Sequence, residues 1–138
     1  MTKGQHIFAL EFSVRDYECD LQGIVNNANY QHYLEHARHE YLLSQGVSYA
    51  ALHEEGTELF VIRVEIDYKS PLKSRDKFVV KLHVEREGNL RMVFVQDILR
   101  LPDHKLVAAA RVTGVAIKNG RPVSPVWLLE QLGISETI

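Results

Sequence analysis

The sequence predicts an α+β fold in which one long helix lies against an antiparallel sheet. Residues 7–14 alternate apolar and polar side chains with the period of two that a half-buried strand shows. Residues 27–44 then follow a helical period, and four strand-like runs come after them. The connections between these runs are too short for parallel crossovers, so the strands are expected to be antiparallel. A single helix with one sheet is typical of the α+β class.

The first strand and the helix are the most regular segments. The first run, IFALEFSV, places four apolar side chains on one face: Phe8, Leu10, Phe12 and Val14. The helical stripe consists of Tyr30, Tyr33, Leu34, Ala37 and Tyr41. Asn26 or Asn27 is expected to cap the N-terminus of this helix, and Gly46 to follow its end.

The later runs are separated by turn signals. In ELFVIRVEIDY the expected apolar face comprises Phe60, Ile62, Val64, Ile66 and Tyr68. DKFVVKLHVER and LRMVFVQDILRL flank a turn at 87–89, and Pro102–Asp103 and Asn119–Gly120 mark turns around KLVAAARVTGVAIK. SPVWLLEQLGI predicts a short terminal helix. These elements fit a single domain over residues 1–138, which is long enough to bury one core.

Composition and charge argue against several classes of protein. The chain has 16 basic and 18 acidic residues, and a formal charge of -2 does not indicate binding to nucleic acid or to a membrane surface. No apolar stretch approaches the length of a membrane span. The single cysteine, Cys19, cannot form an intrachain disulfide and favours a reducing compartment. Because the N-terminus lacks a long apolar run, no signal peptide is predicted, and the expected location is the cytoplasm.

The stretch HYLEH on the helix matches the H-x-x-E-H arrangement of one class of zinc peptidases. On a helix His32 and His36 share one face, and His39 follows three residues later. A catalytic zinc site needs a third protein ligand, and no downstream histidine or glutamate stands at a recognisable spacing. We therefore predict a polar helix face with no metal site, in which the histidines are partly buried and hydrogen-bonded. A zinc hydrolase using His32 and His36 is the less favoured alternative.

The segment DYECDLQGIVNNANY before the helix carries more chemistry. Gly23 permits a tight turn or a close approach of a ligand to the backbone. Asn26 and Asn27 place free backbone N–H groups at the positive end of the helix, which can hold an oxyanion. Asp20 lies upstream as a nucleophile or general base for hydrolysis of an acyl group. From spacing alone, an equally open alternative is that Asp20 caps a turn and Asn26 caps the helix.

The string Y-x-x-D-x-x-G-I-V-N-N-A-N-Y-x-x-Y-L-E-x-A-R resembles the signature of hotdog-fold acyl-CoA thioesterases of the 4-hydroxybenzoyl-CoA thioesterase type. DYKSPLKSRDKFVV is similar to a second segment of that family, and the resemblance spans about residues 6–118. It implies a long central helix wrapped by a curved antiparallel sheet. It also implies an enzyme that hydrolyses an acyl-CoA to a carboxylic acid and coenzyme A without a metal or prosthetic group. Members are homodimers or homotetramers with active sites at subunit interfaces.

Carried over by position, the resemblance makes Asp20 the catalytic carboxylate. Asn27 matches the residue whose backbone N–H polarises the thioester carbonyl. The substrate-binding set implied in this way is Gly23, Asn26, Asn27 and Tyr30. Glu35 is the reserve catalytic candidate, because a related subgroup uses a glutamate on this helix instead of the loop aspartate.

Two positions depart from the family pattern. Close relatives of the Tol-Pal-associated kind carry a histidine where this chain has Asn27, and some relatives carry a tyrosine at the position of Asp16. A different acyl pocket is therefore expected. The candidates for binding the phosphates of coenzyme A are Lys69, Lys73, Arg75, Arg86 and Arg91. Two further alternatives stay open: an acyl-carrier-protein substrate, and a non-catalytic module that binds acyl-CoA or an acyl carrier.

Overall fold

The computed structural model of the protein describes residues 8–134. Its elements in chain order are β1 (Phe8–Ser13), a 3-10 turn (Asp16–Glu18), α1 (Asn27–Ser44), α2 (Tyr49–Glu54), β2 (Thr57–Tyr68), β3 (Lys77–Glu87), β4 (Arg91–Leu101), β5 (Leu106–Lys118), β6 (Arg121–Val123) and α3 (Val126–Gln131). The predicted lack of a signal peptide and the start of the first strand at residue 7 lie outside the described residues. Within the described part, no helix is long and apolar enough to cross a membrane.

Between residues 8 and 134 the strands form one antiparallel sheet in the order β1-β3-β4-β5-β2, and the short β6 pairs with β5. The sheet curls around α1, which confirms the predicted α+β hotdog fold. Strands β1 and β2 are therefore the two edges of the main sheet. One backbone edge of β1 and one of β2 are therefore not paired with another strand of the described residues.

Helix α1 spans Asn27–Ser44, as predicted. The side chain of Asn26 caps it by accepting a hydrogen bond from the backbone N–H of Ala28 at 2.9 Å. After the helix, Gly46 adopts a φ of +82°, which lets the chain turn away. The predicted stripe is buried throughout: Tyr30, Tyr33, Leu34, Ala37 and Tyr41. It forms the core together with the inward-facing residues of β3, namely Phe78, Val80, Leu82 and Val84.

One buried amide on β4 ties α1 to the sheet. Gln96 Nε2 donates to the carbonyl of Leu34 at 3.0 Å, and Gln96 Oε1 accepts from Arg38 at 3.2 Å. Leu34 and Arg38 are four residues apart, so this one side chain spans a full turn of the helix. Because a buried polar group without a partner costs about 1–3 kcal/mol, these bonds favour one position of the helix on the sheet.

Strand β2 corrects one prediction, because its apolar residues do not share a single face. A bulge between Val61 and Arg63 leaves Ile62 without a partner on β5 and reverses the alternation. Phe60 consequently pairs with Val115 on the outer face. The inner face of β2 comprises Leu59, Val61, Val64, Ile66 and Tyr68, since three of these residues pair with core residues of β5. Periodicity alone missed the bulge because an inserted residue leaves the local composition unchanged.

Candidate active site

The segment between the 3-10 turn and α1 folds as a small hairpin. The N–H of Asp20 donates to the carbonyl of Ile24 at 2.9 Å, and the N–H of Gly23 donates back to the carbonyl of Asp20 at 3.0 Å. Gly23 has a φ of +82°, a conformation that favours glycine, so the predicted tight turn is confirmed. The N–H of Val25 donates to the carbonyl of Leu72 at 2.9 Å, which holds the hairpin against the body of the domain.

The side chain of Asp20 is exposed on this hairpin. Its Oδ1 accepts a hydrogen bond from the N–H of Gln22 at 2.8 Å, which closes the Asx turn considered above. No donor among residues 8–134 bonds to the other oxygen, Oδ2. The carboxylate is thus oriented through one oxygen and open to a reactant through the other. An Asx turn and a chemical role are therefore compatible at Asp20.

The N-terminus of α1 presents an unused backbone donor. Asn26 takes up the next two N–H groups of the helix, since its side chain accepts from Ala28 and its carbonyl from Asn29, both at 2.9 Å. Within the described residues the N–H of Asn27 has no acceptor. Asn27 lines a cleft of about 320 Å³, whose lining also includes Ile24, Tyr30, Tyr68 and Lys69. An anionic oxygen in this cleft would meet both the free N–H and the positive end of the helix.

Tyr30 forms an inner wall of the same cleft. Its hydroxyl accepts a hydrogen bond from the N–H of Leu72 at 3.0 Å, and its ring centroid lies 5.5 Å from that of Tyr68. Burial raises the pKa of Tyr30, so the phenol is neutral at physiological pH. Tyr30 therefore shapes the cleft and anchors the segment around Leu72, with its hydroxyl already engaged by the backbone.

The structure separates Glu35 from this cleft. Glu35 is exposed on a second groove of about 370 Å³ between α1 and β2, which is also lined by His32, Arg38 and Val64. Glu35 and Asn27 are eight residues apart, which corresponds to about 12 Å along the helix axis. Within the single chain, Glu35 thus lines the groove between α1 and β2, whereas Asn27 lines the cleft at the start of α1.

The histidines of HYLEH lie on the exposed side of α1. The ring of His32 is 3.3 Å from the side-chain oxygen of Asn29, and the ring centroid of His36 is 5.9 Å from that of Phe12. The predicted polar face is confirmed, but His32 and His36 are exposed and not partly buried. Across residues 8–134, no group of three or more His, Cys, Asp or Glu side chains is placed to hold a metal ion.

The basic candidates for the phosphates fall into two separate groups. Lys69 lines the cleft of Asn27, and Lys73 pairs with Ile24 of the hairpin. Arg86 and Arg91 lie at the β3–β4 turn, where Arg91 is 3.6 Å from Glu87. Since β3 runs 11 residues between these two ends, the groups lie on the order of 30 Å apart within one chain.

Arg38 was not predicted from the sequence to have a role of its own. Its side chain is only 8% exposed, and its guanidinium reaches the groove that Glu35 lines. Burial lowers the pKa of Arg38. The signal that could have revealed this buried position is its spacing, four residues after Leu34 and four before Leu42, both of which are buried.

The chain is similar in sequence and fold to known proteins. Residues 14–132 match the sequence profile of the thioesterase-like superfamily. The chain is 38% identical over 115 residues to the chloroplastic acyl-acyl carrier protein thioesterase ATL3 of Arabidopsis thaliana, covering 83% of this chain and 60% of that protein. It is 31% identical over 116 residues to the acyl-CoA thioesterase YbgC of Haemophilus influenzae, covering 82% and 85%. This chain therefore spans only about 60% of the length of ATL3.

A solved structure from Aquifex aeolicus, of a hypothetical protein, matches the fold with a TM-score of 0.83 at 35% identity, covering 91% of this chain and 98% of that one. A curled antiparallel sheet with one long helix against it places the chain in the class of hotdog-fold proteins. The chain belongs to the thioesterase-like superfamily. The resemblance found in the sequence is thereby confirmed.

Proposed function

We propose that this chain, as a single domain over residues 1–138, hydrolyses acyl-CoA thioesters, with Asp20 as the catalytic carboxylate. The free N–H of Asn27 in the cleft at the start of α1 is the observation that carries the proposal. In this mechanism the thioester oxygen accepts a hydrogen bond from Asn27. Asp20 either attacks the carbonyl carbon or takes a proton from the water that attacks it. In the first route the attack forms a mixed anhydride with Asp20 and expels the coenzyme A thiolate, and water then hydrolyses the anhydride and supplies the proton for the thiolate. In the second route the water adds to the carbonyl carbon, and the thiolate leaves with the proton that Asp20 took up. In both routes water supplies the second oxygen of the carboxylic acid.

The helix terminus contributes by holding negative charge as it develops on the oxygen. One such preorganised donor stabilises the transition state by about 3 kcal/mol. The substrate-binding set has distinct parts in this site: Gly23 shapes the hairpin, Asn26 caps the helix, and Tyr30 forms the wall. Lys69 at the cleft is the best-placed cation for a phosphate of coenzyme A.

We also propose that a second copy of the chain completes the site through β2. This strand is an edge of the sheet, yet Phe60, Val61, Ile62, Val64 and Tyr68 are all about half exposed on it. A long apolar edge is a template for pairing with another strand. Pairing two copies of β2 would cover these side chains and enclose the cleft of Asn27, which Tyr68 lines. The same pairing serves the homodimer and the homotetramer that the resemblance implies.

The charges of Arg63 and Glu65 favour one register for the proposed pairing of two β2 strands. Two antiparallel copies of β2 related by a two-fold axis at Val64 would place each Arg63 opposite Glu65 of the partner subunit. An axis at Arg63 or at Glu65 would instead place two like charges opposite each other, which is unfavourable. In the single chain the Arg63 guanidinium already lies 3.1 Å from the Glu65 carboxylate, so both side chains extend from the same face of the strand.

An acyl-carrier-protein substrate is a second candidate, because the similar protein ATL3 is named as an acyl-acyl carrier protein thioesterase. This alternative changes the carrier and keeps the chemistry. That the protein works in the cytoplasm stays a prediction, which is based on its single cysteine.

The proposal is tested by measuring free-thiol release from a panel of acyl-CoA and acyl-carrier-protein thioesters. Asp20→Asn is expected to lower kcat by about two orders of magnitude or more, with chelator having no effect. Glu35→Gln tests the reserve carboxylate. Asp97→Asn on the outer sheet face is the matched control and should retain full activity, since Asp97 lies on the side of β4 away from α1.

Each other result points to a different conclusion. If Glu35→Gln abolishes turnover and Asp20→Asn does not, the carboxylate on the helix is the catalytic one. Activity that chelator removes and Asp20→Asn retains would favour the zinc hydrolase. Binding of acyl-CoA without turnover of any thioester in the panel would identify a non-catalytic binding module.

A further inference from the structure

Glu18 is a partly buried carboxylate that the proposed mechanism does not use. It ends the 3-10 turn, two residues before Asp20, and its side chain is 13% exposed. Its Oε1 accepts one hydrogen bond from the N–H of Arg15 at 2.9 Å and another from the hydroxyl of Tyr33 at 2.7 Å. Burial and the bond to Glu18 raise the pKa of Tyr33, so this hydroxyl stays protonated and donates at physiological pH. The thioesterase signature given above includes Tyr17 and Asp20 but leaves position 18 open.

The main-chain carbonyl of Glu18 is bonded to the start of α1 as well. It accepts a hydrogen bond from the N–H of Asn26 at 3.1 Å and another from the side-chain amide of Asn29 at 2.8 Å. Tyr33 follows Asn29 by about one helical turn, so the two side chains leave α1 on the same face. Through its carbonyl and its carboxylate, Glu18 is thus bonded to the N-cap, the first turn and the second turn of this helix.

Apolar packing does not fix the segment that contains Glu18, because none of residues 15–24 is buried. A cavity of about 700 Å³ lies beside this segment, between β1, the 3-10 turn and α1. Two further contacts join the segment to the loop before β3, where the hydroxyl of Ser74 bonds to Asp16 and Ile24 pairs with Lys73. Within the described part of the chain, the hydrogen bonds from residues 15–24 to α1 all come from Glu18.

We propose that Glu18 is a positioning residue, which holds the hairpin of Asp20 in a fixed place relative to the N–H of Asn27. The inference rests on the proposed thioesterase function, in which Asp20 acts at the carbon and Asn27 at the oxygen of the same carbonyl group. The hairpin cannot rotate away from the helix without breaking the bonds of Glu18. A misplacement of roughly 1 Å between reacting groups can cost about a hundredfold in rate, so these bonds support catalysis without touching the substrate.

The test compares Glu18→Ala with Glu18→Gln in steady-state hydrolysis of acyl-CoA thioesters. Glu18→Ala removes the acceptor of the Tyr33 hydroxyl and should lower kcat by about ten- to a hundredfold, while KM changes less than about twofold. Glu18→Gln keeps a side-chain oxygen for the same two donors and should retain most of kcat. Tyr33→Phe removes the bond from the other side, so adding it to Glu18→Ala should cost little more. Glu11→Ala removes an exposed carboxylate at the same cavity and is the matched control, which should retain full kcat.

Hydrogen exchange gives a second measurement that does not depend on turnover. The N–H of Asn26 donates to the carbonyl of Glu18, so its exchange reports on the link between the hairpin and α1. This amide should exchange faster in Glu18→Ala than in the wild type, whereas the amides of β4 should keep their rates. A general loss of stability would instead accelerate exchange in both places.

The inference is overturned if Glu18→Ala retains the wild-type kcat, raises KM alone, or loses activity only in proportion to the folded fraction seen by circular dichroism. It is also overturned if Glu18→Gln is as inactive as Glu18→Ala, because the charge of Glu18 would then take part in the chemistry itself. If Asp20→Asn stays active while Asn26 exchanges faster in Glu18→Ala, the catalytic role proposed for Asp20 fails and the anchoring of the hairpin by Glu18 stands.

Discussion

The two edges of the sheet differ in length and in where their apolar side chains go. Strand β1 has six residues, and its inward side chains, Phe8, Leu10 and Phe12, pack against the core. Strand β2 has 12 residues, and the bulge at Ile62 sends apolar side chains to both of its faces. Among residues 8–134, each of these strands pairs with a neighbouring strand on one side only. The comparison teaches that β1 buries its apolar side chains within its own chain, whereas β2 leaves five of them about half exposed, which is the basis for the proposed pairing of two copies.

The largest expected effect comes from placing a charge on β2. Val64→Lys puts two lysines at the proposed two-fold axis, and each buried unpaired charge costs about 3–5 kcal/mol. We expect this variant to sediment as a monomer in analytical ultracentrifugation. Glu11→Lys introduces a lysine on the exposed face of β1 by reversing a charge and should leave the mass unchanged. A Val64→Lys protein that keeps the oligomeric mass of the wild type would contradict pairing through β2.

A smaller effect is expected from the aromatic residues of the two edges. The ring of Phe12 on β1 stacks on Phe78 with centroids 4.9 Å apart. Phe12→Ala should therefore lower the free energy of unfolding by about 2–3 kcal/mol, somewhat less than for a fully buried phenylalanine. Phe60→Ala should cost less than about 0.5 kcal/mol when measured in the monomeric Val64→Lys background.

Urea denaturation of both alanine variants measures this difference. Equal losses at Phe12 and Phe60 would mean that β2 is already supported within its own chain, and the contrast between the edges would be lost.

The smallest expected effect concerns the charges on β2. Arg63→Glu and Glu65→Arg should each weaken dimerisation by roughly tenfold, since each places like charges opposite each other at two symmetric positions. The double variant should restore most of the affinity, and this recovery is the coupling that a double-mutant cycle isolates. Dilution experiments by sedimentation provide the dissociation constants. Without recovery in the double variant, the axis does not pass through Val64.

The first and last residues of an element could be predicted from the sequence where they depend on neighbouring residues in the chain. The bounds of α1 follow from the cap at Asn26, the helical stripe and Gly46, all of which act within a few residues. The same holds for the tight turn at Gly23. The local conformations of Gly23 and Asn26 could be predicted because the hairpin and the first helical turn are adjacent in the chain. Their chemical roles stay predictions.

Features that depend on distant residues could not be predicted. Helix α2 was not predicted for a different reason: its six residues are too few to show a helical period, although Ser48 caps it. The bulge at Ile62 is visible only from the pairing of β2 with β5. The buried state of Arg38 depends on Gln96, which is 58 residues away. In the same way, the groove that Glu35 lines exists only once β2 lies beside α1.

The two hydrogen bonds of Gln96, which span one turn of α1, have a consequence for the activation entropy of the proposed reaction. By bonding to Leu34 and Arg38 it opposes both rotation and sliding of the helix on the sheet. In the proposed reaction, the first turn of α1, two turns away from Leu34, would therefore start each encounter with the free N–H of Asn27 already oriented. A helix that moved on its sheet would lose conformational entropy with every substrate bound, whereas under the proposed mechanism α1 loses that entropy once, during folding.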